Sequence, residues 1–397
     1  MKLLYIYTDH FKNYDIMLTL QKMGISFDVM EDSFMTWEPD ERRLSLLSDK
    51  IKDDSYQAVL SYGYVPSVSD VCEDRNVPYI AWTYDSILHS LYNKSVENKC
   101  NHLFIYDSAE VNYIREHFDA PHVYYLPLCA NVERIASLDI RKEDLSEYTS
   151  DVSFVGDLYQ QNTYYSLEPE LSEAEKNYFS TAFSYFFGKW GGDSIYDWFS
   201  ENDATYLQKR LPDYLKNDGL LPDRIFFADT LLSKPIGSLE RIEILNRLAK
   251  KGGEVQTPFK VRLYHKESSD CSVLNGVELH SPVNYFDEMN KAFRFSKINL
   301  NITLHGMRSG VPLRCFDVVS SGGFLLTNYQ ADVGDVFEED KEVVCYRSIE
   351  ELVEKTIFYM THEDERKKIA EAGLKRAKAE HDYKNRLLEI FSRVGVK

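Results

Sequence analysis

Short apolar runs recur along most of this chain, each followed by a segment whose apolar residues fall at helical spacing. In the first third, Lys2–Tyr7, Ile25–Met30, Ala58–Ser61, Tyr79–Trp82, Leu103–Tyr106 and Val123–Leu126 predict strands. Tyr14–Met23, closed by Gly24, predicts a helix, and Asp107-Ser108 reads as the N-cap of a helix running to about Phe118. A strand over Asp151–Gly156 opens a second block, and strands resume at Phe259–Tyr264, Val277–His280, Ile298–Ile302, Gly323–Thr327 and Val343–Tyr346. Helices over about Ile349–Thr361, Glu363–His381 and Tyr383–Val394 close the chain. Between about residues 160 and 250 the alternation stops, and Glu, Tyr, Phe and Leu at helical spacing predict a helical insertion.

Apolar strands alternating with helices belong to parallel sheets covered on both faces. The fold class expected is therefore α/β, with two Rossmann-like domains that place ligands at the carboxyl edges of their sheets, across a central cleft. The length, 397 residues, is enough for two cores. The expected division is 1–150, then 151–382 carrying the insertion, then a C-terminal helix over 383–397.

Composition narrows the function classes. A net charge of -18 argues against nucleic-acid binding, which needs clustered Lys and Arg, but leaves room for a local diphosphate pocket. The 6 cysteines form no CxxC pair and no His-Cys cluster, so neither a zinc site nor a disulfide framework is expected. No run reaches the roughly 18 apolar residues of a membrane span, and a reducing, cytoplasmic setting is the expectation. Aromatics reach 14%, with 28 Tyr. They suit a carbohydrate-facing cleft, and ordinary core packing accounts for any single one equally well.

The stretch richest in chemistry is His305-Gly-Met-Arg-Ser-Gly-Val-Pro-Leu-Arg-Cys-Phe-Asp317, between two predicted strands. Pro312 suits the first position of a helix and Gly322 its C-terminal stop. Arg308, Ser309 and Gly310 then lie in the loop entering a helix N-terminus, where free N–H groups and the helix dipole favour a diphosphate. Arg314 falls in the first turn, where a cation opposes the dipole by about 0.3–1 kcal/mol unless an anion sits nearby. Asp317, further along, is placed to accept hydrogen bonds from ribose hydroxyls. The competing reading makes Arg314 and Asp317 an i,i+3 surface pair.

These residues resemble the C-terminal domain of the CgeB-like, spore-maturation type glycosyltransferases, which carries Gly-x-Pro-x-Arg-x-Phe-Glu. Here the pattern is Gly310, Pro312, Arg314 and Phe316, with Asp317 in place of the usual Glu. Val277–Asn301 is similar to the family's strand, loop and helix before that motif, which implies that Pro282, Val283 and Tyr285 lie by the nucleotide base. Upstream, Tyr79-Ile-Ala-Trp-Thr-Tyr-Asp85 resembles a Trp-x-x-Asp element of the usual partner domain, and Tyr125-Leu-Pro127 with Asp151–Gly156 resembles the domain junction. The departures are Ser309 where many retaining relatives have a first Glu, and Asp85-Ser-Ile where Asp-x-Pro is usual.

The resemblance implies a GT-B fold and transfer of a sugar from a nucleotide-diphosphate sugar, UDP-sugar foremost, to a glycan or surface-polymer acceptor. No further cofactor and no essential metal are expected. The acidic clusters Glu338-Glu-Asp340 and Glu363-Asp-Glu365 read as caps and solvated faces. Arg308 and Arg314 are the cations expected to stabilise the leaving diphosphate. Lys266, past a strand end, is a further candidate, and a solvated surface charge is its plainer reading. Asp85 is the base candidate for an inverting reaction, with His89 one turn later, and helix capping is its structural alternative. His305 is expected either at the donor or as a buried structural histidine. The insertion, with Trp190 and Trp198, is expected to pack mostly as core, with acceptor choice or a homodimer contact as further roles. Two other functions stay open: a nucleotide-sugar epimerase or hydrolase on the same fold, and a non-catalytic glycan- or protein-binding module.

Overall fold

The computed structural model describes residues 2–7, 11–30, 40–53, 55–217 and 219–396. The chain divides into two compact units, one of Met1–Asn131, Ser309–Val311 and Glu380–Lys397, the other of Val132–Arg308 and Pro312–Ala379.

The first unit is built on strands β1 (Lys2–Ile6), β2 (Ser26–Met30), β3 (Ala58–Tyr62), β4 (Tyr79–Trp82), β5 (Asn101–Ile105) and β6 (Val123–Tyr125). All pair in parallel, in the order β2-β1-β3-β4-β5-β6. Leu3, Tyr5, Leu60, Ile80, Trp82 and Phe104 fill its core, as apolar strands buried on both faces require. The helix Tyr383–Val394 belongs here, because Leu387, Ile390 and Phe391 pack into that core and Tyr383 sits edge-on to Trp82 at 5.6 Å. The expected independent segment over 383–397 is therefore part of the first unit, and this unit's leading segment ends at Asn131, not at residue 150.

The second unit holds β7 (Ser150–Val155), β8 (Val261–Tyr264), β9 (Glu278–His280), β10 (Ser296–Asn301), β11 (Leu325–Asn328) and β12 (Val344–Tyr346). Its order is β12-β11-β10-β7-β8-β9, again parallel throughout. From β7 the sheet grows one way to β8 and β9, and from β10 the other way to β11 and β12. The carboxyl ends of β7 and β10 thus form a topological switch point, where ligands bind in sheets of this kind.

The segment expected as one insertion over about 160–250 has two parts. Its last helix, Lys234–Glu254, lays Ile244, Leu245 and Leu248 against Val152, Val261 and Leu263, and is the crossover that joins β7 to β8. The true excursion precedes it, with helices Thr163–Leu167, Glu173–Phe186, Glu201–Arg210 and Asp223–Ala228, then a π turn at Asp229–Ser233. Its aromatics mainly contact each other. Phe179, Phe183 and Tyr164 meet edge-on or tilted, and Trp198 lies among Tyr178, Tyr185 and Phe186. All six cysteines are free. Among the described residues no helix is long and apolar enough to cross a membrane.

Candidate functional site

At the carboxyl edge of the second sheet, β7 runs out into Gly156 and Asp157, and β10 into Ile302 and Thr303. Arg241, from the crossover helix, reaches both exits: its guanidinium donates to the carbonyl oxygens of Asp157 and of Ile302, the latter at 2.6 Å. Its charge lies over the Phe154 ring at 5.1 Å and the Tyr159 ring at 4.3 Å. Tyr159 holds a left-handed backbone, φ 52°, which disfavours a side chain by about 1–2 kcal/mol. Arg241 is only 7% exposed, and its Nε has no hydrogen-bond partner among the described residues.

Arg314 lies in the same field. The helix Leu313–Ser320 begins one residue later than expected, with Pro312 as its extended N-cap, so Arg314 is in its first turn. Its guanidinium meets Met289 Sδ and stands 5.4 Å from the Phe293 ring centre. Desolvation pushes its pKa down, Asp317 opposes that shift, and the neighbouring charge of Arg241 adds to it. Asp317 is buried, at 2% exposure. The ion pairs found among the described residues do not join it to Arg314, so the surface-pair reading does not hold. Neither arginine has a carboxylate within ion-pair distance among those residues. Burying cations without a counter-ion is unfavourable, and a bound anion offsets that cost.

The other expected donor-side residues are distributed as follows. Lys266 lies past the end of β8 as expected, 3.2 Å from Asp157 and 67% exposed. His305 is enclosed and bonds Glu240 Oε1 at 2.8 Å, which favours its structural reading. Arg308 lies over the Tyr196 ring at 4.8 Å. Val283 packs with Tyr148, Tyr264 and Ala292, Pro282 is exposed, and Tyr285 is half-buried with Arg134 over its ring at 5.2 Å.

Ser309 and Gly310 are arranged differently from the expected phosphate cradle. They belong to the first unit, and Asp107 takes their donors: Ser309 N–H at 3.0 Å, Gly310 N–H at 3.1 Å and Ser309 Oγ at 2.7 Å. The same carboxylate accepts from Ser86 Oγ at 2.9 Å and caps its own helix through the N–H groups of Ala109 and Glu110. A Cβ on Gly310 would stand 2.7 Å from the Tyr106 ring and 3.2 Å from Asp107 Cα. The glycine is thus required by close packing within this unit.

Asp85 follows β4 and is solvent-accessible, yet the protein around it desolvates its carboxyl and pushes its pKa up to about 6. It accepts no hydrogen bond among the described residues. The next turn, His89–Tyr92, starts from Leu88 without a side-chain cap, so Asp85 is not the cap of that turn. His89 is its first residue and is half-buried.

Sequence reasoning missed Arg241 and Asp107 as site-shaping residues. Asp107 was legible only as a cap. Arg241 is separated from β7 by the whole excursion, and in the sequence it is one of two arginines, with Arg247, on the helix Lys234–Glu254.

Comparisons with known proteins agree with this architecture. Residues 241–392 match the model of a glycosyl transferase-like family, a match that starts at Arg241. Solved structures of similar fold include a glycosyltransferase from Rickettsia africae, with TM-score 0.56, 10% identity and coverage of 99% of this chain and 98% of that one. An α,α-trehalose 6-phosphate synthase from Burkholderia multivorans has TM-score 0.58 and 9% identity, over 100% and 98% of the two chains. HepE of Anabaena, solved with UDP-glucose, has TM-score 0.55 and 9% identity, over 100% and 99%. A search of curated protein sequences gives no significant match. The two parallel six-stranded sheets share the GT-B fold of these solved structures, and residues 241–392 are similar to a glycosyl transferase-like family.

Proposed function

We propose that this enzyme transfers a sugar from a nucleotide-diphosphate sugar, with Arg241 and Arg314 holding the diphosphate at the carboxyl ends of β7 and β10. The observation that carries the reading is a pair of enclosed guanidinium groups without a carboxylate partner at the switch point of a parallel sheet. As the bond from the anomeric carbon to the phosphate oxygen breaks, negative charge grows on the departing diphosphate. Fixed cations in a partly dehydrated site stabilise that charge without having to reorganise. Two cations there also support leaving-group stabilisation without a metal ion.

HepE was solved with UDP-glucose, which makes a UDP-sugar the first donor to try. Asp317 is the proposed partner of the ribose hydroxyls, and Pro282, Val283 and Tyr285 of the base. Lys266 and Arg308 are secondary donor-side cations. In an inverting reaction Asp85 takes the acceptor hydroxyl proton, a role suited to a carboxyl titrating near the working pH. The CgeB-like pattern around Gly310, Pro312, Arg314 and Phe316 supports a glycan or surface-polymer acceptor.

The test is a thermal-shift screen of UDP, GDP, dTDP, CDP and ADP and their sugar conjugates, with and without magnesium. A ligand at 100 times its dissociation constant adds about 2.7 kcal/mol of stability. One nucleotide should raise the midpoint in the wild type and not in Arg314→Ala. A panel without any shift would overturn the reading.

A further inference from the structure

We infer that the helical excursion between β7 and the crossover helix positions the loop His305–Arg308 on the donor side, with Tyr196 and Glu240 as its positioning residues. The inference rests on the donor reading above and gives the excursion a task within it.

Four residues, from elements far away in sequence, converge on this short loop. Tyr196, buried in the excursion, donates its hydroxyl to the Gly306 carbonyl at 2.5 Å, and its ring lies under the Arg308 guanidinium. Ser233, the last residue of the π turn, accepts the Gly306 N–H on its Oγ at 3.2 Å. Glu240, fully buried, receives His305 Nε2 and the Gly188 N–H of the excursion on one oxygen, each at 2.8 Å. Trp190 of the excursion stacks on the His305 ring, with centroids 6.0 Å apart and planes 12° apart.

Gly306 makes this approach possible. A Cβ there would fall on Ser233 Oγ and within 2.9 Å of Asp229 Oδ1, so the loop is seated with no space for a side chain. A π turn widens a helix by one residue and re-aims the side chains around it. Here it presents Ser233 to the loop, directly before the helix that carries Glu240 and Arg241. Arg308 and Arg241 are thereby referenced to one scaffold, and catalytic groups need that kind of fixed spacing.

The experiment uses the full chain with Tyr196→Phe, Glu240→Gln and Glu240→Ala. Tyr196→Phe keeps the ring under Arg308 and removes the hydroxyl, with its short hydrogen bond to Gly306 and its long one, 3.5 Å, to Asp229. We expect the dissociation constant for UDP to rise about 3- to 10-fold, the equivalent of one hydrogen bond. Amide exchange across residues 304–308 should quicken, while the thermal midpoint stays near that of the wild type. Glu240→Gln, which keeps an acceptor for Gly188, should retain most of the affinity that Glu240→Ala loses. A lower midpoint with unchanged UDP affinity and unchanged loop exchange would show a packing role only and overturn the inference. If the wild type does not bind UDP, the UDP reading fails by itself, and loop exchange decides alone: quicker in Tyr196→Phe upholds positioning, unchanged overturns it.

Discussion

Two places in this molecule present hydrogen-bond donors to an anion, and they differ in whether the chain supplies the anion itself. Around Ser309 and Gly310 the donors converge on Asp107, whose carboxylate is fully buried and accepts from both backbone amides, two hydroxyls and the first turn of its own helix. Around Arg241 and Arg314 the donors are cations, no carboxylate stands within ion-pair distance among the described residues, and desolvation disfavours the charged form of Arg314, pushing its pKa down. The first arrangement is complete without a ligand, so it works as a structural joint. In the second no carboxylate within ion-pair distance supplies the counter-charge, which is the ground for the anion site proposed there. Backbone amides ahead of a helix suggest phosphate in the first case and paired guanidinium groups suggest it in the second, and the location of the counter-charge separates them.

The comparison is sharpest in the sign of the stability effects. Asp107→Ala should lower unfolding stability by about 3–5 kcal/mol, the range for removing one partner of a buried charged network, as read from urea denaturation. A loss below about 1 kcal/mol would mean that the donors find water readily and that the joint is replaceable. Arg314→Ala should instead leave stability within about 1 kcal/mol of the wild type, because removing a desolvated cation offsets the lost packing on Phe293. It should still reduce kcat/KM for the nucleotide sugar by about 100-fold, measured with saturating acceptor or as donor hydrolysis. A large stability loss with normal kcat/KM would exchange the roles of the two places.

Smaller effects test the margins of the comparison. With Asp85 pushed up to about 6, turnover that depends on its ionised form should rise as pH climbs through that value, and Asp85→Asn should flatten the profile. The same shift fixes the stability trend. The folded state favours the protonated carboxyl, so this contribution is full below the unfolded pKa and is lost as pH rises through about 6. Lys266→Ala should change donor affinity by no more than about fivefold, since its exposed pair with Asp157 belongs to a class worth about 0–1 kcal/mol. A larger loss would move Lys266 into the diphosphate contact.

Much of the architecture was legible from short-range pattern. Every expected strand from Lys2–Tyr7 to Val343–Tyr346 is present within a few residues, and the closing helices fall where their apolar spacing put them. The excursion was legible as helical, but its end was not. Lys234–Glu254 has the same periodicity as the helices before it, and only its packing against β7 and β8 makes it the crossover. For the site, Arg314 and Asp317 could be read from one contiguous motif, whereas Asp107 and Arg241 act on segments far from them in sequence.

The sequence by itself determined that this chain forms parallel sheets flanked by helices, because burial on both strand faces leaves a signature within a few neighbouring residues. It also determined that a Gly, Pro and Arg motif enters a helix at the carboxyl edge of one sheet. Tertiary structure alone decided which charges keep a partner. Asp107 and Ser309 are some 200 positions apart, and Arg241 meets the exits of two strands that are not consecutive in the chain. Whether a charge is satisfied depends on what lies within a few ångströms in space, and local periodicity carries no information about that distance.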